Sequence, residues 1–469
     1  MDMDVELSHA RTAHRKGRID EAMPIYQRIL KQVPEHPHAL HLLGVATLQK
    51  GDAEKAAELI GLAVSLVPND ARVHNNLGTA YQALKRFEDA VAEYKQSESL
   101  DPEFREAPYN LGNCLRLLHQ PDDAKAAFHR AIKIAPDHDG AHNNLGALLK
   151  SLGQYDLALA EFAEAHRLAP ENKEYLANFV TMLELTNRTD EAERSAEELV
   201  RIAPDFPIAR ILRARLERRS GNIEAARALI APVAAATAEP LLQIPAKYEL
   251  AHILDKAGAY ATAFGELTEA KNIRLSLPAT QDRDLAQFRK SVQAYSEWIP
   301  HIPARSGPRA SEGLSGPVFF VGFPRSGTTL MEQILGSHSR LVTTNENSPL
   351  TRMIIAAPDT IGRKFELPDS IGELTDKEIL ALREQFFVAA REITGDDLKD
   401  RRLVDKLPLN IAELGIINCV FPDAKVLVAL RDPRDVCLSC YFQNFVLNKA
   451  MLSFMELEST GLTYAAVMN

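Results

Sequence analysis

Small and hydrophobic positions in the first half of the chain repeat with a period of 34 residues. An alanine and a proline recur in six periods. A large residue follows the alanine by four positions in five of them, at Tyr26, Ile60, Tyr94, Phe128 and Phe162, and Leu-Gly pairs precede it at Leu43-Gly44, Leu77-Gly78, Leu111-Gly112 and Leu145-Gly146. The prolines are Pro34, Pro68, Pro102, Pro136, Pro170 and Pro204, and the alanines are Ala22, Ala56, Ala90, Ala124, Ala158 and Ala192. The pattern predicts a run of helical hairpins in which each proline ends the second helix, because proline lacks an N–H and disfavours helix in the residue before it.

This pattern matches the tetratricopeptide repeat (TPR), in which glycine lets two antiparallel helices approach and alanine lies at their crossing. A single hairpin cannot bury its apolar face alone, so stacked neighbours supply a continuous core. We predict six clear repeats from 3–36 to 173–206, a seventh at 207–240 without the closing proline, and a degenerate eighth at 246–274. The first domain is therefore predicted to be an α-solenoid of TPR hairpins over residues 1–274.

One polar position recurs on the first helix of successive repeats, at Asn76, Asn110, Asn144 and Asn178. The repeat spacing predicts that these side chains form a row on the concave surface, where each amide can donate and accept hydrogen bonds. The row resembles the asparagine ladder in the TPR region of O-linked N-acetylglucosamine transferase, which implies a groove for a protein or an extended peptide. In the alternative interpretation, the repeats retain an ancestral asparagine that only satisfies neighbouring turns, and the sequence leaves both open.

The 34-residue period is lost after about residue 274, and residues 275–315 are predicted to be a linker with one helix at 281–298. Beyond the linker, short β-rich runs alternate with helical segments, which predicts an α/β domain with a parallel sheet over 316–469. The predicted strands are 318–321, 341–344, 402–405 and 425–430, and the predicted helices are 328–335, 376–392, 410–420 and 452–468.

A glycine-rich loop or a charged residue follows each predicted strand. The carboxyl ends of parallel strands form the edge at which such sheets bind ligands. The first strand is followed by the loop GFPRSGTT at 322–329, and the other three by Glu346, Lys406 and Arg431. The loop has the G-x-x-x-x-G spacing of a P-loop, and N–H groups at the start of the next helix attract anions. Because Thr328 follows where a nucleotide triphosphatase has lysine, we discount ATP or GTP hydrolysis.

Three segments in this order resemble the sulfotransferase family. GFPRSGTTLMEQIL resembles the 5′-phosphosulfate loop, RDPRDVCLS resembles the 3′-phosphate motif, and DKLPLN resembles a segment between them. With the TPR half, the chain is similar to bacterial TPR-containing sulfotransferases and, more distantly, to protein-tyrosine sulfotransferases. The resemblance implies an enzyme that moves a sulfuryl group from 3′-phosphoadenosine 5′-phosphosulfate (PAPS) to an acceptor hydroxyl.

The resemblance also implies roles for individual residues of this sequence. Those expected to hold the 5′-phosphate and sulfate are Arg325, Ser326, Gly327, Thr328 and Thr329. Those expected to hold the 3′-phosphate are Arg431 and Ser439. Glu346 is expected to be the catalytic base, and Lys406 and Arg325 are expected to stabilise developing charge. Some of these residues also have an alternative interpretation without a catalytic or binding role. Glu346 would cap a helix, and Lys406 would be a solvated lysine at the end of a strand. Arg431 would only form a salt bridge, and Ser439 would be an ordinary helical serine.

The acceptor and the completeness of the domain stay open at this stage. We favour a protein tyrosine because TPR grooves hold peptides, while glycan and lipid-linked acceptors remain alternatives. The chain ends thirty residues after Ser439, sooner than the family pattern, so we expect either a C-terminally truncated domain or a site completed by the TPR half or a partner. The alternative function is a TPR protein-interaction scaffold with an incomplete, non-catalytic nucleotide-binding domain.

Composition excludes several other classes of protein. The chain carries 54 Lys and Arg against 64 Asp and Glu, a net charge of −10, which argues against nucleic-acid binding through bulk positive charge. Four cysteines are too few for a disulfide framework, the pair Cys437 and Cys440 is expected to face the core, and no metal site is expected. The resemblance implies that His338 belongs to a structural turn, with a role as catalytic base as the alternative. Without a signal peptide or a membrane-spanning apolar run, we expect a cytoplasmic protein.

Overall fold

The structure, a computed structural model, describes residues 3–236, 239–280, 283–298 and 316–469. The chain divides into two compact units, Met1–Asp205 and Phe206–Asn469. The second unit therefore begins inside the region predicted to be the TPR domain, and the predicted domain limits remain a prediction. The predicted proline-, glycine- and serine-rich part of the linker, 299–315, lies outside the described residues.

Antiparallel helical hairpins form the first unit, and the predicted α-solenoid is confirmed. The hairpins are α1 (Met3–Arg15) with α2 (Ile19–Gln32), α3 (Pro37–Gln49) with α4 (Ala53–Leu66), α5 (Ala71–Ala83) with α6 (Phe87–Leu100), α7 (Glu106–Leu117) with α8 (Pro121–Ile134), α9 (Asp139–Ser151) with α10 (Tyr155–Leu168), and α11 (Lys173–Leu185) with α12 (Thr189–Ile202). Each hairpin packs against the next, so the apolar faces are covered by neighbouring repeats.

The glycines of the repeat lie directly against the large side chain on the second helix of their hairpin. A Cβ atom added to Gly78 would lie 2.7 Å from Tyr94 Cε1, and one added to Gly112 would lie 2.7 Å from Phe128 Cε1. The alanines at the crossings, including Ala90 and Ala124, are fully buried. The small residues of the sequence pattern therefore set the distance between the paired helices.

Two further hairpins begin the second unit, α13 (Pro207–Arg219) with α14 (Ile223–Ala235) and α15 (Pro240–Lys256) with α16 (Tyr260–Leu275). The helix predicted over 281–298 is shorter in the structure, where α17 spans Gln287–Trp298. The Asp284 carboxylate accepts a hydrogen bond from the Ala286 N–H at 2.8 Å, and this local turn replaces the first part of the predicted helix.

A four-stranded parallel sheet forms the α/β part, as predicted, with the strand order β2-β3-β1-β4. The strands are β1 (Val318–Gly322), β2 (Leu341–Thr343), β3 (Arg402–Lys406) and β4 (Lys425–Ala429). The helices around them are α18 (Thr328–Gly336), α19 (Pro349–Ile361), α20 (Asp376–Thr394), α21 (Leu414–Val420), α22 (Pro433–Tyr441), α23 (Lys449–Leu452) and α24 (Leu457–Met468). Short 3₁₀ segments cover Asp369–Glu373 and Pro408–Glu413.

Two further helix predictions were wrong in detail, and one helix was missed. Helix α19 was not predicted, and the segment predicted as one helix at 410–420 is a 3₁₀ turn followed by α21. The helix predicted at 452–468 is interrupted between α23 and α24. This interruption buries Phe454, whose ring centroid lies 5.5 Å from that of Phe323 after β1, so long-range packing overrides the local helical pattern.

Strand β1 lies in the middle of the core. Phe319 and Val321 belong to the large apolar cluster that includes Phe386 and Phe421, whereas the alternate residue Phe320 packs in a smaller cluster with partly buried Leu335. This alternation is typical of a strand covered on both faces. The order of strands brings the carboxyl ends of β1, β2, β3 and β4 to one edge, where the loops with the predicted site residues begin.

Candidate active site

The loop after β1 makes a compact turn that ends at the N-terminus of α18. Gly322 has φ +154°, and a Cβ atom there would lie 2.8 Å from the Ala429 carbonyl oxygen of β4, so only glycine allows this close approach. Arg325 has φ +70° and Gly327, the N-cap of α18, has φ +92°. The N–H groups of the first helical turn have no partner within their own helix, so the turn and the helix start have the features of an anion cradle.

Arg325 links this loop to the helix with the predicted 3′-phosphate residues. Its Nε donates a hydrogen bond of 3.1 Å to Ser439 Oγ on α22. Arg431 lies just before α22, and its Nη2 is 3.5 Å from Asp435 Oδ2, with both side chains at least half exposed. A contact this long and this exposed contributes little free energy, so the Arg431 guanidinium remains accessible to a ligand.

An ion-pair cluster connects the residues that follow β2 and β3. Lys406 Nζ donates to Glu346 Oε1 at 2.5 Å and also lies 2.8 Å from Glu332 Oε2 on α18. The Lys406 side chain is 1% exposed, whereas that of Glu346 is 53% exposed, so Lys406 is not a solvated lysine. Glu346 does not cap α19, since the N-cap is Ser348, whose Oγ accepts from the Thr351 N–H. Sequence reasoning missed Glu332.

The segment DKLPLN contributes on both faces of β3. Asp405 is fully buried, and its Oδ2 accepts hydrogen bonds from Ser348 Oγ at 3.0 Å and the Leu350 N–H at 3.3 Å. Asn410 Nδ2 donates to the same Ser348 oxygen at 3.1 Å. Burial raises the pKa of Asp405 to about 7. These buried polar groups fix the N-cap of α19, Ser348, two residues after Glu346.

Several of the predicted residues line one cavity of about 1380 Å³. They are Arg325, Gly327, Thr328, Thr329, Glu346 and Arg431. Ser439 adjoins this group through Arg325, and Lys406 adjoins it through Glu346. Ser326 is turned toward its own loop, where its Oγ donates to the Phe323 carbonyl oxygen. Much of the remaining wall is apolar, with Ile354, Ile355 and Val446 among its residues.

Two other residues considered from the sequence, His338 and Cys440, do not line the cavity. His338 is exposed in the turn between α18 and β2, and its Nδ1 accepts the Arg340 N–H at 3.1 Å. Cys440 is buried, and its Sγ donates weakly to the Pro324 carbonyl oxygen. Among the described residues, no group of three or more His, Cys, Asp or Glu side chains could hold a metal ion. None of the helices in the described ranges has the length and apolarity required to cross a membrane.

The asparagine row of the first unit is engaged between repeats. The Nδ2 of Asn110 donates to Asn75 Oδ1 at 3.0 Å, and that of Asn178 donates to Asn143 Oδ1 at 2.8 Å. The other two amides make equivalent contacts with residues of the preceding repeat, Asn76 with His41 and Asn144 with both Tyr109 and Asn113. The amide donors therefore connect successive repeats, and the peptide groove stays a prediction.

Comparison with known protein families matches both parts of the chain. Residues 317–468 match the model of the sulfotransferase family, and tetratricopeptide repeat models match residues 13–78, 71–104 and 104–171. This chain joins tetratricopeptide repeats to a sulfotransferase-family domain. The cavity described above lies in the second unit, whose residues 317–468 form the sulfotransferase-family domain.

Individual similar proteins match smaller parts of this chain. An uncharacterized protein of Aquifex aeolicus (strain VF5) is 32% identical over 214 residues, which are 45% of this chain and only 27% of that relative. The structure of Pseudomonas aeruginosa PilF is 20% identical, with a TM-score of 0.41, over 45% of this chain and 96% of its own. A thermophilic TPR protein of Thermus thermophilus is 26% identical, with a TM-score of 0.34, over 39% of this chain and 98% of its own.

Proposed function

We propose that this chain is a sulfotransferase that uses PAPS as its donor and transfers the sulfuryl group to an acceptor hydroxyl. The observation that carries this proposal is the shared cavity, which the loop after β1, Glu346 and Arg431 line together. One anion cradle, one carboxylate and a separate arginine are the groups that a doubly phosphorylated sulfuryl donor and a hydroxyl acceptor require. The match to the sulfotransferase family supports the reaction class.

The charge of the loop side of the cavity supports the assignment of the donor to it. A Cβ atom added to Gly327 would meet no atom within 4 Å, so the backbone at the helix start faces open space. We assign the 5′-phosphate and sulfate to this cradle, with Arg325, Thr328 and Thr329, and the 3′-phosphate to Arg431 and Ser439. When bound, PAPS supplies an activated sulfuryl group whose bond to the phosphate oxygen breaks as adenosine 3′,5′-bisphosphate leaves.

We assign the role of catalytic base to Glu346. Its carboxylate lies in the cavity wall, where it can accept the proton of the hydroxyl as that oxygen bonds to sulfur, and a positioned base of this kind contributes a factor of about 10²–10⁴ in rate. The buried ammonium of Lys406 holds one carboxylate oxygen of Glu346 and can stabilise negative charge that develops on the leaving oxygen. The acceptor proton therefore goes to Glu346, and the electron pair of the broken bond goes to the leaving phosphate.

The apolar wall supports an acceptor hydroxyl on an aromatic ring. Ile355 is 74% exposed and Val446 is 91% exposed, although both line the cavity that contains the base. The free energy of binding becomes more favourable when an apolar ligand covers apolar side chains that are exposed in a concave site. A tyrosine side chain offers a ring for this wall and a hydroxyl for Glu346, so a protein tyrosine is the acceptor that we propose. We further propose that the repeats bind the protein that carries this tyrosine.

Arg431→Ala is the decisive variant. A charge-assisted hydrogen bond contributes about 1.5–3 kcal/mol, so we expect adenosine 3′,5′-bisphosphate to bind about 10- to 150-fold more weakly, as measured by calorimetry. Arg434→Ala is the matched control, since Arg434 is an exposed arginine on α22 that pairs with Asp432. In parallel, labelled PAPS is incubated with tyrosine peptides, glycans and lipid-linked alcohols. If no acceptor is labelled and Arg431→Ala binds the bisphosphate like the wild type, the proposal is wrong.

The second candidate is a TPR scaffold whose α/β part binds nucleotide without catalysis. The edge strand β4 favours it, because Val426, Leu427 and Val428 are each more than 40% exposed, and an exposed strand edge can pair with another chain. Tight binding of adenosine 3′,5′-bisphosphate, together with no labelling of any acceptor, would favour this scaffold over the enzyme.

A further inference from the structure

We propose that Glu332 is a positioning residue that holds Lys406 and the turn with Glu346 in their working arrangement. The catalytic part of this proposal rests on the sulfotransferase function proposed above. Glu332 is on α18, within the helix that follows the phosphate-binding loop, and it is only 4% exposed. A buried carboxylate in an otherwise mostly apolar helix segment needs partners, because an unpaired buried charge is strongly unfavourable.

Both oxygens of the Glu332 carboxylate have a partner. Oε1 accepts a hydrogen bond from the Asn345 N–H at 2.9 Å, and Oε2 lies 2.8 Å from Lys406 Nζ. Asn345 immediately precedes Glu346, and Lys406 contacts Glu346 directly. One side chain therefore connects the backbone of the proposed base to the proposed charge-stabilising lysine.

The turn that Glu332 holds has an unfavourable backbone conformation. Asn345 has φ +48° and Glu346 has φ +66°, so two successive residues other than glycine lie in the left-handed region. Asparagine tolerates this region, but glutamate does so less readily. Loss of the hydrogen bond to Glu332 Oε1 would remove a contact that holds this conformation, and the Glu346 carboxylate would then leave its position in the cavity wall.

Glu332 also keeps Lys406 paired throughout the proposed reaction. When Glu346 takes the acceptor proton it becomes neutral, and Glu332 then remains as the anionic partner of the buried ammonium. The other groups around Lys406 do not replace it. Thr344 Oγ1 is neutral and accepts a hydrogen bond from the backbone N–H of Lys406, not from its ammonium. The adjacent Asp405 accepts hydrogen bonds from Ser348 Oγ and the Leu350 N–H instead. The two carboxylates that contact Lys406 thus have different roles: Glu346 is the base, and Glu332 is the fixed counter-charge.

Two variants separate the charge of Glu332 from its length. Glu332→Gln keeps an oxygen for the Asn345 N–H but removes the negative charge, whereas Glu332→Asp keeps the charge on a shorter side chain. We expect Glu332→Gln to lower kcat about 10²-fold with little change in the KM for PAPS, because the Lys406 ammonium loses its fixed counter-charge and a small displacement of such a group has effects of that size. Gln333→Ala, an exposed neighbour on α18, is the control and should leave both constants unchanged.

The pH–rate profile distinguishes positioning from mere structural support. In Glu332→Gln, the Lys406 ammonium faces Glu346 without a competing carboxylate, so the surroundings of the proposed base lose one negative charge. The acid limb of the profile should therefore move to lower pH, whereas in Glu332→Asp it should remain near that of the wild type. A residue that only supported the fold would change the melting temperature without moving this limb.

Hydrogen exchange at the Asn345 amide gives a readout that needs no turnover. Glu332→Ala should speed exchange at this amide by about 10-fold or more, because the N–H loses its acceptor, while Glu332→Gln should retain protection. Unchanged exchange in Glu332→Ala overturns the positioning contact. A wild-type protein that transfers sulfuryl groups, with a Glu332→Gln variant of equal kcat and identical pH profile, overturns the positioning role alone. A wild-type protein without transferase activity overturns the proposed function and the catalytic role together.

Discussion

Replacement of Lys406 by methionine tests whether the buried ion-pair cluster is organised as the structure shows. Lys406→Met removes the ammonium but keeps a long unbranched side chain, so little volume is lost. Glu332 would then be a buried carboxylate without its cationic partner, since its remaining contact is the Asn345 N–H. In contrast, Glu346→Gln removes the half-exposed partner and leaves Lys406 paired with Glu332.

The burial of the three side chains gives the expected magnitudes. Removal of one partner from a buried ion pair costs about 3–5 kcal/mol, whereas an exposed pair contributes about 0–1 kcal/mol. We therefore expect Lys406→Met to lower the free energy of unfolding by about 3–5 kcal/mol and Glu346→Gln to lower it by no more than about 1 kcal/mol. The double variant Glu332→Gln with Lys406→Met should recover most of the loss, because neither buried charge remains.

Trp298 provides a probe for unfolding of the α/β part alone. It is the single tryptophan of the chain and packs against the core cluster around Phe319. At a urea dependence of about 1–3 kcal/mol per M, the expected loss in Lys406→Met moves the fluorescence midpoint down by about 1–5 M. If Lys406→Met unfolds at the same urea concentration as Glu346→Gln, or if the double variant recovers nothing, the reasoning from buried charge is refuted.

Two further predictions concern the repeats. Gly112→Ala should destabilise the first unit by about 1–3 kcal/mol, because the added Cβ would lie 2.7 Å from Phe128 Cε1. In contrast, Gly61→Ala in α4 should stabilise this unit by up to about 1 kcal/mol, because a Cβ added there meets no atom within 4 Å. Thermal unfolding followed by circular dichroism compares the two variants. His142 contacts Glu161 Oε2 at 2.6 Å and the Pro136 carbonyl oxygen at 3.1 Å, so both ring nitrogens face acceptors and the pKa of His142 is raised, chiefly by the hydrogen bond to Glu161. Its stabilising effect should be complete below the unfolded-state pKa of about 6.5 and be lost as pH rises through the folded-state pKa, so His142→Gln should lower the melting temperature more at acidic than at alkaline pH, and equal losses at both would contradict this.

The repeat architecture could be predicted because its determinants are local. Gly78 and Tyr94 belong to one hairpin, so the contact between them follows directly from the periodic pattern. The strands could be predicted for a similar reason, since a short apolar run between turn-forming residues has few other interpretations. The first residue of each predicted strand agrees with the structure, and the last differs by one residue.

The errors arose where distant packing or competing signals decide the structure. Ser348-Pro349 is a good helix start, and α19 begins there, but Pro358 inside the helix weakens its pattern. Glu332 could be read in the sequence as one acid within an otherwise mostly apolar segment of α18. Its partners Asn345 and Lys406, however, are brought to it only by the folding of the sheet. The sequence therefore indicates the residue types at the site but not the cluster that they form.

Side chains alternate between the two faces of a β-strand, and this alternation explains how the short segment DKLPLN contributes both to the proposed catalytic residues and to the buried core. Adjacent residues of β3 point to opposite faces of the sheet, so Lys406 meets Glu346 while Asp405 meets Ser348. Glu346 and Ser348 are two residues apart in the turn after β2. The end of β3 thus holds this turn from both faces, through an ion pair on one and buried hydrogen bonds on the other. Asp405 therefore influences the proposed base only through the backbone, whereas Lys406 contacts the carboxylate itself.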